Sequence, residues 1–101
     1  MVSLFRDTYP ELADLLVSCN RATRSTEKTA VYGCAELILL YPANGYFSLC
    51  IQVLNSTERN SDQHKRWRHI AEHVGCKCVT IRDLVSFADA VDEYLANTPY
   101  A

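Results

Sequence analysis

Phe47-Ser48-Leu49-Cys50-Ile51-Gln52-Val53-Leu54, preceded by Pro42-Ala43-Asn44-Gly45 and, ahead of that, by the run Val31 to Tyr41, decides how the rest of the chain is read. The two runs have the composition of strands, and Asn44-Gly45 between them supplies the positive φ that a tight hairpin turn requires. An antiparallel pair is therefore predicted. Downstream, Ser61 precedes a pattern through Trp67, Ile70, Ala71 and Val74 that stops at Gly75, a helix with a Ser N-cap and a Gly C-cap. Cys76 to Ile81 then has the length and composition of a short strand. A strand-helix-strand unit from Tyr46 to Ile81 makes its two strands parallel, joined by a right-handed crossover.

Working outward, Leu4, Phe5, Leu12, Leu15 and Leu16 recur at roughly helical spacing with Asp7, Glu11 and Asp14 between them, so a first amphipathic helix is predicted. Pro10 sits in its first turn or breaks it after Tyr9, and Leu15 to Cys19 could form an extra strand. Asn20 to Lys28 is polar and reads as a loop or arm. Asp83 is a candidate cap for a closing helix marked by Leu84, Phe87, Ala88, Val91, Tyr94 and Leu95. The class is α/β: helix, optional strand, hairpin, helix, strand, helix, giving a small mixed β-sheet flanked by helices.

The 101 residues suit one domain, 1–101, since a chain this long can build one core and not two. A formal charge of -2 gives no global pull toward nucleic acid, so any such contact would rest on a local basic patch. The longest apolar run, Ala35 to Leu40, is broken by Glu36 and falls far short of the roughly 20 residues of a membrane span. Met1 to Asp7 lacks the features of a secretory signal, and a cytoplasmic location with no membrane partner is expected. Cys19, Cys34, Cys50, Cys76 and Cys78 show no C-x-x-C spacing; buried reduced thiols are the expected state, and Cys76 and Cys78 would lie on one face of a strand.

Taken together, Gly45 to Leu54, Ser61-Asp62-Gln63-His64-Lys65-Arg66-Trp67 and Gly75 to Arg82 resemble the VRR-NUC domains of the PD-(D/E)XK, restriction-endonuclease-like nucleases, and the resemblance covers nearly the whole chain. It implies that fold, and it implies a metal-dependent nuclease site at particular positions. The family's Asp falls on Glu36, which could still ligate a metal. The E-x-K element falls on Gln52-Val53-Leu54, where an amide replaces the acid and an apolar side chain the lysine. The family's helix Gln falls on His64, or on Gln63 if the loop is shifted by one residue. The acid often carried by the first helix would fall before or near Met1, and none stands there.

Hard carboxylate oxygens are needed to hold Mg²⁺ at a scissile phosphate, where the ion polarises the phosphate and activates water. The lysine would orient water and stabilise charge developing on the phosphate, a role Leu54 cannot take. Loss of each such group removes on the order of a hundredfold in rate. The resemblance therefore implies a degenerate, catalytically inactive nuclease-fold protein that binds nucleic acid or another protein, with DNA and a second copy of the chain as the partners the family points to. The rival reading is an active Mg²⁺- or Mn²⁺-dependent DNA endonuclease, Holliday-junction-resolvase-like, with a remodelled site using Glu36, His64 and a carboxylate such as Glu11. A third is a structural domain that meets no nucleic acid.

Each candidate residue also has a plainer reading. Glu36 could face solvent or form a salt bridge, and Gln52, alternating with Ile51 and Val53, could be an ordinary outward polar residue. Arg59, Lys65, Arg66 and Arg68 form the densest basic segment and could contact phosphate oxygens, although Glu58, Asp62 and Glu72 dilute it to an ordinary charged surface. His69 and His73, one helical turn apart, could chelate a transition metal or simply be solvated. Trp67, on the apolar side of its helix with Ile70, Ala71 and Val74, reads as core rather than as a base-stacking platform.

Overall fold

A computed structural model describes residues 1–18, 35–54 and 62–100. Helix α1 (Val2–Thr8) is followed by a 3-10 helix (Pro10–Leu15), strand β1 (Leu16–Ser18), strands β2 (Leu37–Leu39) and β3 (Leu49–Val53), helix α2 (Asp62–His73), strand β4 (Lys77–Ile81) and helix α3 (Leu84–Leu95). The strands lie in the order β1-β2-β3-β4. β1 and β2 pair antiparallel, as do β2 and β3, while β3 and β4 are parallel across the α2 crossover.

The single first helix expected from Leu4 to Leu16 is divided in two. Tyr9 leaves the helical region (φ -129°, ψ 68°), which the residue before a proline disfavours, and Pro10 opens the tighter 3-10 segment, where its missing N–H costs nothing. Leu16 to Ser18 then pair as the extra strand; Leu15 belongs to the 3-10 helix, and Cys19 lies outside the described residues. In the first hairpin run the described strand is confined to Leu37–Leu39; Val31 to Cys34, the Asn20 to Lys28 stretch and the Ser61 cap lie outside the described residues.

Asn44 (φ 52°) and Gly45 (φ 88°) form the two-residue turn, closed by reciprocal bonds between Ala43 and Tyr46 of 3.1 and 2.9 Å. Asn44 has a second task. Its Nδ2 donates to the carbonyls of Tyr94 and Ala96 at 2.8 and 2.9 Å, satisfying acceptors that the C-terminus of α3 would otherwise leave to water. Asn44→Ala removes both bonds and places an alanine at positive φ, so a loss of about 1–3 kcal/mol is expected in the urea midpoint at unchanged m-value. Asn44→Gly, which retains the conformational freedom, is expected to lose less.

Helix α2 ends in a Schellman arrangement: Cys76 N–H donates to Ala71 O and Gly75 N–H to Glu72 O, with Gly75 at φ 106°. Helix α3 starts at Asp83, whose carboxylate accepts the Ser86 N–H at 2.8 Å while the Ser86 hydroxyl accepts the Asp83 N–H. Both caps were legible in the sequence.

The core lies on one face of the sheet. Leu37, Leu39, Leu49, Ile51 and Ile81 point into it, and Phe5, Leu12, Phe87, Val91, Tyr94 and Leu95 close over it from α1, the 3-10 helix and α3. Each large side chain withdrawn from water there contributes about 1.5–3 kcal/mol before chain entropy is counted. The opposite face carries α2, and this face positions the candidate site. No helix among the described residues is long and apolar enough to cross a membrane.

Candidate functional site

Because side chains alternate along a strand, the face beneath α2 takes every second residue: Ser48, Cys50 and Gln52 from the β3 segment, and Cys76, Cys78 and Thr80 from the β4 segment. The register sets Cys50 beside Cys78 and Gln52 beside Thr80. Small and polar side chains make a low floor, and α2 settles on it through Ala71, which is buried, with His64, Trp67 and Arg68 half-buried around it. This corrects the helical face expected from sequence. Ile70 and Val74, placed there with Trp67 on the inward side, are each 58% exposed, because a thiol and hydroxyl floor offers them nothing apolar to cover.

Gln52 is fully buried, and its Nε2 donates to the backbone carbonyl of His64 at 3.3 Å. The position that the resemblance assigns to an acid thus holds an amide that fastens α2 to the sheet. The plain reading of Gln52 as an outward polar residue is overturned. Leu54, at the lysine position, is 1% exposed and donates its N–H to Ile81 O at 2.9 Å, continuing the sheet.

Glu36 precedes β2, and the β2–β3 register, extended by one residue, sets it opposite Gln52. Its N–H donates to Ile51 O at 3.0 Å and its Oε2 accepts the Val53 N–H at 2.6 Å. The carboxylate replaces the backbone carbonyl that a longer strand would have offered, so Glu36 ends the ladder. The structure therefore brings together Glu36, Gln52 and the His64 backbone at one end of the β2–β3 pair. Gln63, Lys65 and Arg66 are exposed on α2, Arg68 is half-buried, and Arg59 lies outside the described residues. His69 and His73 are exposed, as is Glu11 on the 3-10 helix.

A hard divalent cation such as Mg²⁺ or Mn²⁺ requires several oxygen ligands in near-octahedral array. Here one oxygen of Glu36 is committed to Val53 N–H, Gln52 directs its NH₂ group at a carbonyl, and Leu54 offers no polar atom. Among the described residues no three His, Cys, Asp or Glu side chains gather in an arrangement able to hold a metal ion. The residues present do not fit the metal ion that the resemblance implies.

Reading residue by residue from the family pattern did not find the thiol floor. Its signal was the matching period-two series Ser48-Cys50-Gln52 and Cys76-Cys78-Thr80, which only the parallel register brings side by side.

The mixed sheet, with an antiparallel hairpin, a parallel crossover and helices on both faces, is a VRR-NUC-like α/β fold. A solved VRR_NUC domain protein superimposes on it with a TM-score of 0.72, covering 86% of this chain and 72% of that one at 15% sequence identity. No family model matches the sequence, and no curated protein matches it.

Proposed function

We propose that the protein is a degenerate, catalytically inactive nuclease-fold module that binds nucleic acid through the outer side of α2. The observation that carries the first half is Gln52: a fully buried amide, bonded to the helix above it, occupies the place where the resemblance asks for a metal-binding acid. Leu54 in the core and Glu36 at the strand end support the same reading. The second half rests on Lys65 and Arg66, both exposed on α2, with Arg68 beside them. They offer positive charge to phosphate oxygens, so binding would depend strongly on salt.

The test is fluorescence anisotropy with branched and linear DNA at several salt concentrations, with cleavage followed in parallel in Mn²⁺ and Mg²⁺. Binding without cleavage is expected. Lys65→Ala combined with Arg66→Ala should weaken binding roughly tenfold and reduce the salt slope by about 2. Cleavage that disappears in Glu36→Ala would overturn the reading in favour of a remodelled endonuclease, and absence of DNA binding at low salt would leave a protein-interaction role.

A further inference from the structure

Cys50, Cys76 and Cys78 meet beneath α2 with Ser48, whose hydroxyl lies 3.8 Å from the Cys50 Sγ and donates to the Cys76 Sγ at 3.3 Å. Geometry separates the three. Residues directly paired across neighbouring strands have backbones about 4.8 Å apart, within the roughly 4.4–6.8 Å Cα separation that a disulfide spans. Cys50 and Cys78 are such a pair. Cys76 is two positions from Cys78 on one strand, a step of about 6.6 Å with parallel Cβ vectors, and diagonal to Cys50, at about 7–8 Å. Neither separation suits the Cβ spacing of about 3.5–4.5 Å that a disulfide needs. Among the described cysteines Cys50 and Cys78 are the pair nearest to bridging geometry.

Access separates them too. Cys50 is 2% exposed, whereas Cys78 is half-buried at the edge strand. A small oxidant can reach Cys78, while an external thiol cannot reach Cys50. We propose that Cys78 and Cys50 form a peroxide-reactive dithiol: Cys78 is the attacking thiol, and Cys50 resolves it as an intramolecular disulfide between β3 and β4.

The sulfur of Cys78, as thiolate, attacks one oxygen of a hydroperoxide and the O–O bond breaks. The departing alkoxide or hydroxide takes up a proton, leaving Cys78 as a sulfenic acid. Cys50 then gives up its proton as its sulfur attacks that of Cys78; the S–O bond breaks and the hydroxyl leaves with the proton as water. Two thiols and one hydroperoxide thus yield one disulfide, one alcohol or water, and one further water. The electrostatics favour these roles. A hydrogen bond between the two thiols, opposed by burial and by Glu72 and Cys76 and assisted by Arg68, lowers the Cys78 thiol below its usual range, and the same bond together with burial, opposed by hydrogen bonds to Ser48 and Cys76, pushes Cys50 up.

Freshly reduced full-length protein is treated with equimolar hydrogen peroxide, blocked with N-ethylmaleimide and digested without reductant using trypsin and chymotrypsin, which place Cys34 and Cys50 on separate peptides. Mass spectrometry should find a Cys50–Cys78 cross-linked peptide lighter by two hydrogens and absent after dithiothreitol. In Cys50→Ser and Cys50→Ala the cross-link should vanish and dimedone should label Cys78. Cys76→Ser should leave it intact. Alkylation of both Cys50 and Cys78 after peroxide, or attachment of Cys78 to Cys19, Cys34 or another molecule, would sink the proposal; both readouts apply to the wild-type protein, so they do not depend on any variant folding.

Discussion

Gln52→Glu should be close to wild type in stability at pH 5 and markedly less stable, though still mostly folded, at pH 7. The amide is fully buried and donates to His64 O, so a carboxyl placed there loses the donor when ionised and cannot be hydrated without lifting α2. Its folded-state pKa must therefore be raised. Such a carboxyl costs little below the ordinary glutamate range, where it is protonated in both states. The penalty grows as pH rises, because the unfolded chain releases the proton and the folded chain does not, and it levels off only above the folded pKa. The loss is about 1 kcal/mol at pH 5 and about 3–4 kcal/mol at pH 7, against a total stability on the order of 5–15 kcal/mol for a domain of this size. Urea midpoints of wild type and variant at the two pH values measure it; equal loss at both would mean the position is hydrated. DNA cleavage should not appear in the variant, since Leu54 still supplies no ammonium group.

Phe87→Ala should cost about 3–5 kcal/mol at any pH. Phe87 is 1% exposed in the first turns of α3 and, with Val91 and Leu95, covers the sheet over Leu49, Ile51 and Ile81. Truncation removes its burial and leaves a void that a sheet held by its hydrogen bonds cannot readily collapse to fill. Thermal unfolding followed by circular dichroism should show a fall of well over ten degrees. Phe87→Leu, which keeps most of the volume, should recover the larger part.

Much of the fold could be read from the sequence because its signals were local. Asn44-Gly45 needed only the rule about positive φ, and the Gly75 and Asp83 caps only their neighbours. Helix α2 was located correctly, yet its buried side was misjudged. Trp67, Ile70 and Val74 form an apolar series on the helix, but which side turns inward was decided by Ser48, Cys50, Cys76 and Cys78, residues distant in sequence. The site followed the same division. That Gln52 and Leu54 occupy the acid and lysine positions of the E-x-K pattern was visible at once, whereas the bond from Gln52 to the His64 backbone depends on a contact no pattern encodes. Glu36 shows the limit most clearly: its sequence context allows a metal ligand, a solvent-facing residue or a salt-bridge partner, and encodes nothing of the bond it accepts from the backbone N–H of Val53.

The order of strands across the sheet is the order in which the ribosome makes them. Each strand joins the edge left by the one before, and none must be inserted between two already paired, so the sheet can grow in one direction as the chain emerges. The helix that brings Phe87, Val91 and Leu95 to its apolar face follows all four strands, at Leu84–Leu95. Until that segment clears the exit tunnel, Leu49, Ile51 and Ile81 have only α1 and the 3-10 helix to shelter them, and the nascent polypeptide carries a partly open greasy surface.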